Sequence, residues 1–358
     1  MKTIRNLTCL LLVALLLTAC GQSTPAAPRK NHQQLIIDAS RSWFQYDIPP
    51  VEVSHGQDYV IEWEDEGMEA HIRFLLDKPK GDILHSDVWD VQVLVFDPQS
   101  GIPHDVMLKE PVEGFETFYW ETIIYKQYME QSWSVYGSTK FPEVKSLADL
   151  RHFDSLQRLE VFGSMEDPID PAGLEHCSRL KHLTVYHVEN SLLSIAATLP
   201  ELRYLAFLPE NQPVDLTPLQ GHPTLETLHL GGKDLVSLEP LATMPNLRAL
   251  NLDGATFPGL EPLTQTGLEA LSIGLGEAKR GMYSDLDYEP LSRIESLVPL
   301  DLVNHTAFDV DDCEKVLEGC TALKYLDFSY TSAADAYASG DWTPDLSRLE
   351  ACLAGKSR

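Results

Sequence analysis

One pattern, Leu-x-x-Leu-x-Leu, recurs through most of this 358-residue chain and limits what it can fold into. It runs as Leu156/Leu159/Val161, Leu180/Leu183/Val185, Leu202/Leu205/Phe207 and Leu225/Leu228/Leu230. It continues as Leu247/Leu250/Leu252, Leu268/Leu271/Ile273, Leu297/Leu300/Leu302 and Leu323/Leu326/Phe328. Successive copies begin 24, 22, 23, 22, 21, 29 and 26 residues apart. A unit this short holds one strand and one return, and it buries its apolar side only by stacking on the next unit. Length alone suggests two or three domains; the repeat predicts one elongated core instead. Pro200, Pro223 and Pro245 each stand just before a strand, where no ladder donor is lost. Leu216-Thr217-Pro218-Leu219, Leu238-Glu239-Pro240-Leu241 and Leu260-Glu261-Pro262-Leu263 recur on the return, with Tyr288-Glu289-Pro290-Leu291 a variant. Prolines at that frequency suit 3₁₀ or extended turns and break regular helices.

The period is that of leucine-rich repeats, and the short units with proline-marked turns are similar to internalin-type repeats. The resemblance implies an α/β repeat solenoid with short parallel strands and a convex side of 3₁₀, extended or short helical segments. It also implies an asparagine three residues after the last strand leucine. Here those positions hold Ser164, Val188, Glu210, Lys233, Ala255, Gly276, His305 and Thr331, so the array is divergent and its curvature is expected to be irregular. Residues 61–86 resemble the leader that opens many bacterial leucine-rich-repeat surface proteins. Met68, Ile72 and Leu75 or Leu76 share one helical face, and Glu69 and Arg73 form an i,i+4 pair. By that resemblance the helix caps the first coil, whose strand is supplied by Val91, Leu94 and Phe96.

Ahead of the repeats, Lys2 and Arg5 precede the apolar run Leu7–Leu17. Eleven helical residues rise about 16 Å, short of a hydrocarbon core of about 30 Å, so the segment reads as a signal peptide rather than a span. Its end, Leu17-Thr18-Ala19-Cys20-Gly21, resembles the lipobox of bacterial lipoproteins. That resemblance implies a diacylglyceryl thioether on Cys20 and cleavage before it. Two acyl chains suffice for stable membrane anchoring. Removing residues 1–20 would take Lys2 and Arg5 and no acid, moving the charge from −27 to −29. Residues 21–34 are polar and rich in Pro and Ser, and read as a tether. The expected organisation is signal peptide 1–20, tether 21–34, cap and first strand 35–96, an intervening stretch 97–143, repeats 144–330 and a C-terminal cap or tail 331–358.

The stretch 97–143 carries Phe115, Phe118, Tyr119, Trp120, Tyr125, Tyr128, Trp133, Tyr136 and Phe141. It reads as one or two degenerate repeats or a small β insertion with these rings as core, or else as an aromatic platform for a sugar or peptide. Residues 35–143 then give a second functional reading, an envelope or host carbohydrate-binding module carried on the repeats.

A formal charge of −27 argues against a grip on nucleic acid, which needs clustered Lys and Arg. Catalytic patterns fail one by one. Gly355-Lys356-Ser357 has Glu350 where a phosphate loop needs glycine, and the Asp309, Asp311, Asp312, Glu314 group breaks the calcium-loop spacing. Those acids read as helix caps. No enzyme, cofactor or metal is expected. Cys313 and Cys320 lie about 10.5 Å apart along that helix and read as small buried hydrophobes; the pairing of Cys177 and Cys352 stays open.

A surface remains. Residues alternating with the leucines face the concave side. Phe162, Tyr186, Tyr204 and Leu208 fall on three consecutive coils beside His182 and His229, and form the expected contact patch for a protein or peptide. The 29-residue repeat adds a basic loop with Lys279, Arg280 and Tyr283, a second contact candidate. The expected function is recognition of a protein or peptide outside the cytoplasm, at the cell envelope.

Overall fold

The computed structural model describes residues 53–96, 105–108, 142–162, 167–209, 213–230, 234–275, 279–280 and 282–355. Cys20, the tether and nearly all of the aromatic stretch lie outside them, as do Ser164, Glu210, Lys233 and Gly276. The protein is a leucine-rich-repeat solenoid. Its strands are β1 (Val91–Phe96), β2 (Asp105–Leu108), β3 (Arg158–Phe162), β4 (His182–Val188), β5 (Tyr204–Pro209) and β6 (Thr227–Leu230). They continue as β7 (Ala249–Asn251), β8 (Ala270–Ser272), β9 (Pro299–Asp301), β10 (Tyr325–Asp327) and β11 (Ala351–Leu353). All belong to one sheet in the order β11-β10-β9-β8-β7-β6-β5-β4-β3-β1-β2. Every pair is parallel except β1 with β2, which folds back antiparallel on the outer edge. β1 pairs directly with β3.

Register explains the leucine pattern. Leu94, Leu159, Leu183, Leu205, Leu228, Leu250, Leu271, Leu300 and Leu326 are successive partners in the ladder, and all are buried in one continuous core. Each fully buried leucine contributes roughly 1.5–3 kcal/mol. β11 extends the column with Cys352 opposite Leu326, inside the stretch read from sequence as a cap or tail. At or just before the start of several strands, side chains pair from coil to coil. Gln92, Gln157 and Lys181 are linked at 2.9 Å, Arg203 meets Glu226 at 3.3 Å, Arg248 meets Glu269 at 2.7 Å and Lys324 meets Glu350 at 3.0 Å.

The returns take the form that the prolines predict. Thr217–Leu219, Glu239–Thr243, Glu261–Gln265 and Glu289–Arg293 are 3₁₀ turns with proline in the first two positions. Three coils carry helices instead: α2 (Leu192–Ala196), α3 (Val310–Gly319) and α4 (Ser332–Ser339). Helix α3 opens with a capping box between Asp309 and Asp312, so these acids serve as caps. It approaches the preceding coil so closely that a Cβ on Gly319 would stand 1.8 Å from the Ser292 carbonyl oxygen. Cys313 and Cys320 are fully buried, and burial pushes the Cys320 thiol up to about 12.

The cap helix α1 (Glu66–Leu75) also forms as its spacing predicts, with Met68 and Ile72 buried and Glu69 paired to Arg73 at 2.8 Å. Two buried carboxylates sew it to the array. Asp65 accepts the Met68 amide at 2.7 Å and the Lys145 and Ser146 amides at 2.9 Å, while Asp149 accepts the Glu64 and Asp65 amides at 3.0 and 2.8 Å.

The positions that lack asparagine still face inward. Val188, Ala255 and Thr331 are buried, and His305 takes over the amide's work. Its Nε2 donates to the Ile273 carbonyl of the preceding coil at 2.6 Å, and its Nδ1 accepts from the Tyr288 hydroxyl at 2.9 Å. Just before these positions the chain turns through left-handed backbone at His187, Gly254, Asn304 and Tyr330. Removing the His305 ring orphans two buried groups. His305→Ala is therefore expected to lower the unfolding free energy by roughly 2–4 kcal/mol, and His305→Asn to recover part of it, in urea titrations. Equal losses in both variants would refute the substitution.

Candidate functional site

The face of the sheet turned away from the core, expected from the sequence to be concave, carries three rows of side chains, set by the alternation of each strand. The first row runs Arg158, His182, Tyr204, Thr227, Ala249, Ala270, Pro299 and Tyr325. The second runs Glu160, Thr184, Ala206, His229, Asn251, Ser272, Asp301 and Asp327. Tyr186, in backbone register with Phe162 and Leu208, opens the third.

At β3–β5 the face is a knot of paired side chains. The Arg158 Nε donates to Glu160 Oε1 at 2.6 Å, and His182 Nε2 lies 3.4 Å from the same oxygen and 3.2 Å from Thr184 Oγ1. The His182 ring stacks on Tyr204 at 4.1 Å and 7°. Arg158, Glu160, His182, Thr184 and Tyr204 are all buried. Burial alone would raise the Glu160 carboxyl, but the Arg158 charge and the His182 hydrogen bond hold it at about 2. Burial and then the Arg158 charge lower His182 to about 4. At neutral pH the knot is thus an ionised Arg158–Glu160 pair beside a neutral imidazole.

This placement revises the expected contact patch. His182 and Tyr204 come together as read, but buried against one another rather than as open anchors. Tyr186 and His229 are half-buried on the same face. Phe162 and Leu208 occupy their expected strand positions, and their side chains lie outside what the structure describes. The basic loop is tied down. The Lys279 ammonium donates to the Gly254 carbonyl at 2.5 Å, Arg280 lies over the Tyr330 ring at 5.4 Å, and Tyr283 stacks on His305 at 5.3 Å. The Tyr283 hydroxyl also donates to the Ala255 carbonyl and accepts the Phe257 amide, both at 2.9 Å. These residues staple the 29-residue repeat to its neighbours.

The expected contact patch covers only the first half of the face. From β7 to β10 the face becomes acidic, with Asp253 exposed and Asp301 and Asp327 half-buried. Ser272 Oγ donates to Asp253 at 2.5 Å, and Asp301 accepts the Val303 amide at 2.9 Å. Burial, followed by the charges of Asp253 and Asp327, pushes the Asp301 carboxyl well above the usual carboxylate range. The signal was present as Asp at equivalent strand positions of two repeats, 301 and 327. No group of three or more His, Cys, Asp or Glu among the described residues is arranged to hold a metal ion.

Solved structures similar to this chain include two internalins and an LRR protein. Internalin C2 of Listeria monocytogenes shares 14% identity at a TM-score of 0.40, over 73% of this chain and 92% of that one. The internalin inlF of the same organism shares 17% at 0.38, over 80% and 94%. A Leptospira interrogans LRR protein shares 19% at 0.36, over 52% of this chain and 45% of that one. No family model and no curated protein matches the sequence.

The knot has a pH signature. Native His182 refuses a proton that the unfolded chain accepts, so stability falls as pH drops from about 6.5 toward about 4, by up to about 1.4 kcal/mol per pH unit. His182→Gln is expected to reduce that slope in urea titrations, and an unchanged slope would refute the neutral state. Glu160 acts in the same sense further down: its contribution is complete above about 4.5 and disappears as pH falls through about 2. Glu160→Gln strands a buried guanidinium and should cost roughly 3–5 kcal/mol.

Proposed function

We propose that this protein is a membrane-anchored, extracytoplasmic recognition protein that binds a protein or peptide through its concave face, without catalysis. The observation that carries this reading is the continuous face of in-register side chains from Tyr186 through His229 to Asp301 and Asp327. An aromatic, a histidine and several carboxylates on a rigid floor meet the needs of a protein contact, where a few anchors supply most of the energy. The acidic half suits a partner that presents lysine or arginine, whose charge would favour ionisation of the carboxyls that burial holds high. The lipobox-like Leu17–Cys20 supports the anchor. No helix among the described residues is long and apolar enough to cross a membrane. The carbohydrate reading of 35–143 is less well supported, because the described part of that stretch shares the repeat core through Ile72, Val91 and Leu94.

Proximity crosslinking on the intact envelope identifies the partner. Tyr186→Ser and Asp253→Lys are then each expected to weaken binding about tenfold, by about 1.4 kcal/mol, in titration calorimetry. Glu239→Lys, in an exposed position on a convex turn, should leave it unchanged. The opposite pattern would sink the concave assignment. Metabolic labelling with an acyl probe should vanish in Cys20→Ala, and persistent labelling would refute the anchor.

A further inference from the structure

A second group of titratable side chains lies far from the concave floor, where residues 53–60 meet the first coil. His55 is its centre. The Nδ1 of its ring stands 3.1 Å from Asp154 Oδ2, and its Nε2 stands 3.0 Å from Asp90 Oδ1. A carboxylate only accepts hydrogen bonds, and a neutral imidazole has a single N–H to donate. Two carboxylates on opposite nitrogens are both satisfied when the ring carries both protons. The third contact agrees with this: the ring lies flat on Trp89, with centroids 4.3 Å apart and planes 8° from parallel, the arrangement that favours a cation over an aromatic face.

We infer that His55 is a protonated pin that fastens the entry segment to the first coil, and that losing one of its protons releases the segment. Residues 1–52 join the array through this segment, so the pin sets how firmly their point of attachment is held. His55 lies on that segment, Asp90 just before β1, and Asp154 ahead of β3, so one ring ties three stretches of chain. Its side chain is 13% exposed, with Asp90 and Asp154 at 32% and 29%.

The surrounding titratable groups define the direction. Asp154 also lies 3.3 Å from His85 Nε2, and His85 stacks on Tyr59. Asp58 accepts the Ser86 amide and hydroxyl, and the Tyr59 hydroxyl meets His152 Nδ1 at 2.8 Å. Burial and the Arg151 charge hold His152 low, with Asp149 and Glu64 opposing them. Asp90 and Asp154 face the His55 ring from two sides, so a second ring proton is paired there, while burial disfavours charge on His152. The pin is therefore closed on the acid side and weakens as rising pH removes a proton from His55.

Two measurements on the full-length protein test this. In ¹⁵N spectra at about pH 7, the ring signals that disappear in His55→Gln should show both nitrogens protonated. One unprotonated ring nitrogen would overturn the proposal. In hydrogen exchange, the Ile61 and His85 amides report the segment, since they bond Ile83 and Tyr59 carbonyls at 2.9 and 2.8 Å. Corrected for intrinsic rates, their protection should fall about tenfold between about pH 6 and about pH 9, and by less than about twofold in His55→Gln and Asp90→Asn. Equal falls in all three proteins would reduce His55 to a structural contact.

Discussion

The fold depends on one constraint: each inward leucine must lie directly over the leucine of the coil before it. No coil has a core of its own, so every buried side chain is dry because a neighbour covers it. The parallel hydrogen bonds hold Leu159, Leu183, Leu205 and Leu228 in a single column, and the column keeps the hydrogen bonds in register. A slip of one residue would turn the whole apolar set outward.

That constraint explains which features are rigid and which are free to vary. Strand spacing is fixed, while the return absorbs the differences: a 3₁₀ turn at Glu239–Thr243, a ten-residue helix at Val310–Gly319, a stapled loop around Tyr283. With the asparagine ladder gone, the array satisfies its inner carbonyls coil by coil, most visibly through His305. The ends need their own solution, and at the N-terminus it is the exchange of backbone amides between Asp65 and Asp149. Single carboxylates that accept two or three amides each do there what a further coil would do elsewhere.

The strands, the proline turns and the cap helix were legible in the sequence because each rests on a local rule: period, ring geometry, helical face. Four features were not. β11 hides because Cys352 and Ala354 replace the last two leucines of the pattern, leaving Leu349 alone to mark it. The burial of Tyr204 was missed because alternation gives the direction of a side chain but not its cover; stacking on His182 is a cross-coil event. The same holds for Lys279 and Arg280, which read as free charge until Gly254 and Tyr330 are placed beside them. The pairing of His55 with Asp154 spans 99 residues, beyond the reach of any spacing argument.

The direct pairing of β1 with β3 has a further meaning. Hydrogen bonds and the shared contact of Leu94 with Leu159 join these strands, whatever the length of chain that connects them. Within that connection β2 pairs with β1 and the core resumes at Val144, so a protease nick between β2 and Val144 would leave two polypeptides still held as one solenoid. The cap and β1 would then behave as a bound subunit, exchangeable with a second copy of themselves.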